Sequence, residues 1–231
     1  MAIEKQATGI TFQTMMFSTG AAIGQKRRPP LPLSVARRKG HHTADLLQQF
    51  PDWRLSSGHA HPDANSFIIF ARGEYLTGDT GYAGLPMTEH HNTLLVNGKG
   101  QAKEGDGHDV FEAVSYELLN RIRINEVKVE QNRVIVRGDA TAAYEPELGL
   151  KKFVREFVYR SAAGFTVSDE VETTKPAVLT FLLHADNRIE RETGSRFSIK
   201  AGGVKLLIDP AIEESNQHAS KKSRAWSNRT R

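Results

Sequence analysis

The chain reads as an all-β protein, an antiparallel β-sandwich with at most a short N-terminal helix. Three observations predict this: short runs of β-branched and aromatic residues recur along the central part, apolar and polar residues alternate within them, and turn signals separate them. In order, residues 1–40 end in Lys26-Arg27-Arg28-Pro29-Pro30-Leu31-Pro32, a composition that buries too little apolar area to offset ordering entropy. They are expected to form a disordered or linker-like lead. Residues 41–212 are the expected folded body, opening with two helical turns over Thr43–Phe50, capped by Thr43 and stopped by Pro51. Strands are then predicted at Ser66–Phe70, closing at Arg72-Gly73, and at Thr93–Val96, which turns at Asn97-Gly98 and returns over Lys99–Gln101. Val110–Ile124 fits helix and strand about equally. Glu126–Glu130 and Arg133–Arg137 pair across Gln131-Asn132, and Leu150–Arg160, Phe165–Glu172 and Ala177–His184 continue the pattern. Arg196–Lys200 and Val204–Ile208 close it across Gly202-Gly203. Residues 213–231 are expected to be a basic, disordered tail.

Composition excludes several functions. Of the 231 residues 39% are hydrophobic, and no apolar run approaches the roughly eighteen residues of a membrane helix. The net charge of +4 invites a nucleic-acid reading. Its distribution argues against one: residues 26–40 hold six Lys and Arg without an acid, whereas residues 41–212 hold 19 basic and 24 acidic residues. The basicity belongs to the ends, and no nucleic-acid partner is expected. Without cysteine there is no disulfide and no thiolate metal site. Ile10–Gly24 is mildly apolar but interrupted by Gln13, Thr14, Ser18 and Thr19, which makes a poor signal peptide.

The densest chemistry lies in Gly58-His59-Ala60-His61-Pro62-Asp63-Ala64-Asn65-Ser66-Phe67, Gly78-Asp79-Thr80-Gly81-Tyr82 and His90-His91-Asn92-Thr93. These segments bring three metal-competent side chains, His61, Asp79 and His91, into one stretch of strands and turns. Neutral imidazole with carboxylate is a common zinc ligand set that leaves one tetrahedral position open. In an extended segment His59 and His61 face the same way, so one can bind metal while the other reaches substrate. His90 competes with His91, because sequence does not say which points inward. Asp63 and Asn65 read as turn residues, and Asn92 as a donor supporting its neighbour.

The runs HAHPDANSF, GDTGY and HHNTLLVNGKGQ resemble the central signature of the heparinase II/III-like polysaccharide lyases, specifically the β-sheet domain that follows their helical toroid. The resemblance is dense from Trp53 to Gln101 and thinner to Asp209. It implies that His61, Asp79 and His91 hold a structural Zn2+ and that His59 lines the active cleft. It implies β-elimination on a uronic-acid polysaccharide: the carboxylate is neutralised, a base removes the C5 proton and an acid protonates the departing O4. An anionic polysaccharide or oligosaccharide is then the partner, the compartment is periplasmic or extracellular, and an oligomer or partner domain completes the cleft. In this family the catalytic Tyr sits largely on the toroid, which this sequence lacks. Of the tyrosines here, Tyr82 is the nearest candidate and reads more simply as a turn or packing residue.

Other readings of the same residues remain open. A non-catalytic carbohydrate-binding or interaction module would use the metal only to staple strands, and a fragment of a longer lyase would account for both basic ends. A cupin-type metal enzyme also places His-x-His on a strand, but no Glu follows His61 at the short spacing such sites use. The basic strand Lys151–Arg160 offers cations to an anionic sugar or is an ordinary half-solvated strand, and His184 reads as a satisfied core or edge histidine.

Overall fold

Alternating inward rows of apolar residues organise the described strands. The structure, a computed structural model, describes residues 2–19, 61–79, 85–102, 116–160 and 164–214. Among these it places β1 (Ala2–Thr19), β2 (Phe70–Ala71), β3 (Glu74–Tyr75), β4 (Leu94–Val96), a single helical turn α1 (Tyr116–Leu119), β5 (Arg123–Glu130), β6 (Arg133–Asp139), β7 (Leu150–Arg160), β8 (Gly164–Leu182), β9 (Ile189–Arg191), β10 (Phe197–Ala201), β11 (Val204–Asp209) and β12 (Glu213–Glu214). Ten strands form one sheet in the order β5-β6-β7-β8-β1-β11-β10-β9, with β12 added on β1 and β4 on β8; β2 and β3 make a small hairpin. Every pairing is antiparallel. The all-β, antiparallel class that the sequence predicts is therefore the class observed.

The turn chemistry works as the residues dictate. Asn97 and Gly98 both take positive φ, 53° and 74°, as a tight turn between Val96 and Lys99 requires. The ambiguous Val110–Ile124 contains both elements: its described part holds α1 and the start of β5. The helix expected over Thr43–Phe50 lies outside the described residues.

One expectation needs correction. Residues 2–19, expected to belong to a linker-like lead, form β1, which pairs with β8, β11 and β12. Its pairing with β8 is interrupted by register shifts at Ala7/Gly9 and Phe12/Met15. Similarly, Glu213 and Glu214, placed at the head of the expected tail, pair with Thr11 and Ile10. The rest of the expected lead and tail lies outside the described residues.

β8 is the organising strand. Its first half, Gly164–Thr173, pairs with β7, and its second half carries β4 through Leu179, Thr180 and Phe181. Its inward row runs Phe165, Val167, Asp169, Val171, Thr173, and β7 contributes Phe153 and Arg155 to the buried interior. Around them Phe181, Ile69, Leu76, Leu94, Leu179 and Leu183 are fully enclosed. Each such side chain contributes about 1.5–3 kcal/mol of burial free energy. Two charged residues thus sit within an otherwise apolar layer.

Candidate metal and carbohydrate site

The described parts of the three segments singled out in the sequence lie on the loop 61–67, the turn after β3 and the turn before β4. In the first loop, the Asp63 N–H bonds the His61 carbonyl at 2.9 Å and the Ser66 N–H bonds the Asp63 carbonyl at 2.8 Å. Asn65 sits at φ 59°, a left-handed turn position that asparagine tolerates. Its side-chain amide donates to the Gly138 carbonyl of β6 at 3.1 Å. That approach needs glycine: a Cβ on Gly138 would lie 2.2 Å from Asn65 Oδ1. The turn role expected of Asn65 is therefore visible.

Beneath this loop runs a frame of buried polar side chains. Gln101 brackets the Ala64 peptide, accepting from its N–H at 2.9 Å and donating to its carbonyl at 2.9 Å, and Thr93 Oγ1 donates to the same carbonyl at 2.9 Å. Asn92 Nδ2 donates to the Phe67 carbonyl at 2.7 Å and the Gly78 carbonyl at 2.9 Å, while its Oδ1 accepts from the His184 N–H at 2.6 Å. The Gly78 N–H closes the set on the His184 carbonyl at 3.0 Å. Asn92, expected to support its neighbour His91 as a donor, instead pins the residue before Asp79 through the Gly78 carbonyl. Thr93 and Gln101 were not singled out from sequence. The signal was their presence in HHNTLLVNGKGQ, a motif whose polar residues prove to be scaffold.

On this frame His91 turns inward and His90 outward. A short 3₁₀ turn over Thr88–His90 delivers His91 in an extended conformation. The His91 side chain is 1% exposed, against 25% for His90, whose Nε2 lies 4.0 Å from Glu89 Oε1. His91 Nδ1 stands 3.7 Å from Asp79 Oδ2, and the His61 and His91 rings are 5.4 Å apart between centroids, tilted by 53°. The structure therefore places His91 beside both Asp79 and His61. His59 and Tyr82 lie outside the described residues.

The donor set suits a divalent cation such as Zn2+. Neither nitrogen of the buried His91 ring has a hydrogen-bond partner among the described residues. An enclosed imidazole left in that state carries a desolvation penalty that a coordinated ion or an ordered solvent removes. Two imidazoles and a carboxylate match zinc chemistry. Among the described residues no three His, Asp or Glu side chains already stand around one point at ligating distance, so side-chain rotation would have to complete the geometry.

His184 departs in part from expectation. Its Nε2 is buried without a hydrogen-bond partner among the described residues, and the ring is held far below the usual imidazole range, at about 4, by burial first, then by the N-terminal charge and by those of His91 and His90, against a hydrogen bond with the Glu89 backbone that raises it. It is a core histidine satisfied on one side only.

The basic strand is largely committed elsewhere. Lys152 Nζ pairs with Glu170 Oε1 at 2.5 Å, and Arg155 is buried against Asp169. Lys151 and Arg160 remain on the surface. The cation at the centre of the strand thus serves the fold, leaving its ends for any anionic ligand.

Comparison with known families adds one finding: the family model described as "Heparinase II/III-like, C-terminal" matches residues 51–230. No curated protein matches the chain significantly.

Proposed function

The chain belongs to the heparinase II/III-like family through the C-terminal domain of that family, and from this premise we propose that it is the β-sheet part of a polysaccharide lyase whose His61, Asp79 and His91 hold a structural Zn2+. The observation that carries the proposal is the buried His91 ring, with neither nitrogen hydrogen-bonded among the described residues and a carboxylate 3.7 Å away. When bound, the ion would supply fixed positive charge and brace the three loops. The chain's own residues would do the rest. His91 and His61 enter as neutral imidazoles, and Asn92 and Gly78 fix the backbone from which Asp79 projects. His59, two residues before His61, would face an anionic uronate, neutralising its carboxylate or accepting the C5 proton, with the departing O4 protonated by a tyrosine acid. The family relation supports an anionic polysaccharide as the substrate class, and the proposed compartment is the periplasm or the exterior.

Elemental analysis after dialysis without chelator tests the metal. Near-stoichiometric zinc in the wild type, lost in His61→Ala and in His91→Ala, is the expected result; a metal-free wild type overturns it. Incubation with uronate polymers tests the chemistry through the ultraviolet absorbance of unsaturated uronate. The second reading is a non-catalytic carbohydrate-binding module, in which the ion only staples the loops 61–67, 76–79 and 85–93 together. Retention on anionic glycans without unsaturated product, in wild type and His59→Ala alike, would establish that reading.

A further inference from the structure

The deepest charges in the fold are Arg155 and Asp169, 5% and 2% exposed and directly opposite each other in the β7–β8 ladder. The pair is a two-pronged fork: Nε donates to Oδ1 at 2.6 Å and one terminal nitrogen to Oδ2 at 2.7 Å. The other terminal nitrogen leaves the pair and bridges two loops, donating to the Asn65 carbonyl at 2.5 Å and the Asn92 carbonyl at 2.6 Å. The guanidinium centre lies 5.4 Å from the Phe67 ring centroid and 5.5 Å from that of Phe153. Its plane is therefore fixed by contacts on several sides.

Such a pair is a poor device for stability, because the desolvation of two buried ions consumes most of their attraction. It is a good device for geometry. A planar, always-charged fork fixes distances that an ammonium on a flexible stem does not. The two carbonyls it joins are those of Asn65, four residues after His61, and of Asn92, the residue after His91. Asn92 in turn donates to the carbonyl of Gly78, the residue before Asp79. One guanidinium thus reaches all three loops, two directly and one through Asn92.

We propose that Arg155, oriented by Asp169, is a positioning residue that sets the spacing of His61, Asp79 and His91. The assignment rests on the metal reading for its purpose and on the hydrogen bonds for its geometry. The substitution that isolates it is Arg155→Lys, which keeps the charge and a bond to Asp169 but cannot also span both carbonyls.

Carbethoxylation of histidines in the folded chain, read residue by residue by mass spectrometry, tests the geometry without metal. His90 is the internal reference. In the wild type His61 and His91 should react slowly relative to His90. In Arg155→Lys both should react about tenfold faster, whereas Leu206→Ala, a core truncation on β11, whose sheet partners are β1 and β10, should leave them protected. Zinc affinity measured alongside should fall about 10–100-fold in Arg155→Lys, the range typical when groups that orient ligands are lost. Should Arg155→Lys fail to fold, Asp169→Asn retains the guanidinium and an acceptor, and intermediate labelling of both histidines is expected. Wild-type protection in a folded Arg155→Lys, or in Asp169→Asn where that variant stands in for it, overturns the proposal, and so does equal labelling in Leu206→Ala. A wild type that binds no zinc while Arg155→Lys unmasks both histidines would overturn the metal reading and leave the positioning role standing.

Discussion

His90 and His91 differ by one position, and that position decides which is enclosed. Neighbouring residues in extended chain point to opposite sides, so the sequence could limit the choice to two without making it. The phase is set by the 3₁₀ turn over Thr88–His90, whose closing bond from the His91 N–H to the Thr88 carbonyl, 3.1 Å, exists only once the turn is formed. His90→Ala is accordingly expected to leave zinc content unchanged where His91→Ala abolishes it, which elemental analysis of the two variants checks. His184 gives a second expectation, one of sign. Its folded-state value near 4 lies below the ordinary 6.5. Between those values the unfolded chain holds a proton that the folded chain does not, so stability contributed by His184 is complete above pH 6.5 and is lost as pH falls towards 4. Urea denaturation across that window, with chelator present, should show a falling midpoint that His184→Gln flattens.

Strands were legible in proportion to how cleanly they alternate. β5, β6, β7, β8, β10 and β11 all emerge from period-two patterns and turn dipeptides, whereas β1 escapes, and its pairing with β8 is itself interrupted by two register shifts. Alternation also assigns a face without naming a partner: it puts Phe153, Arg155 and Phe157 together, but not that Asp169, fourteen residues on, stands opposite Arg155. Partner identity depends on the β7–β8 register, a property of two strands jointly. The same holds for Gly138 in β6, an unremarkable strand glycine until Asn65 is seen against it. Gly138→Ala introduces a Cβ that Asn65 Oδ1 already occupies at 2.2 Å. The Asn65 side chain must swing away and lose its bond to the Gly138 carbonyl. Overpacking of this kind costs about 1–3 kcal/mol. The urea midpoint should drop accordingly, and zinc affinity should fall with it, because the displaced loop carries His61.

At the scale of the whole molecule, the candidate centre joins parts of the chain that the sheet alone does not hold together. The loop 61–67 is tied to the sheet through Asn65 to β6 and through Arg155 to β7; His91 enters through β4 on the second half of β8; and Asp79 follows the residue bonded to His184, just beyond the end of β8. An ion held by His61, Asp79 and His91 would cross-link all of these at once. Because it would bind the folded chain and not the unfolded one, its free energy of binding adds to that of folding: saturation at a hundred times the dissociation constant contributes about 2.7 kcal/mol. For a domain of this size each kcal/mol moves the thermal midpoint by about 2–4 °C. A strong chelator should therefore lower the midpoint of the wild type by about 5–10 °C, restored by excess zinc, while His91→Ala should melt at one temperature with or without chelator. The comparison separates two roles for the buried polar frame. If the frame of Asn92, Thr93, Gln101 and Arg155 is complete without an ion, chelation changes nothing; if it is built around one, the midpoint falls only in those variants that keep all three ligands.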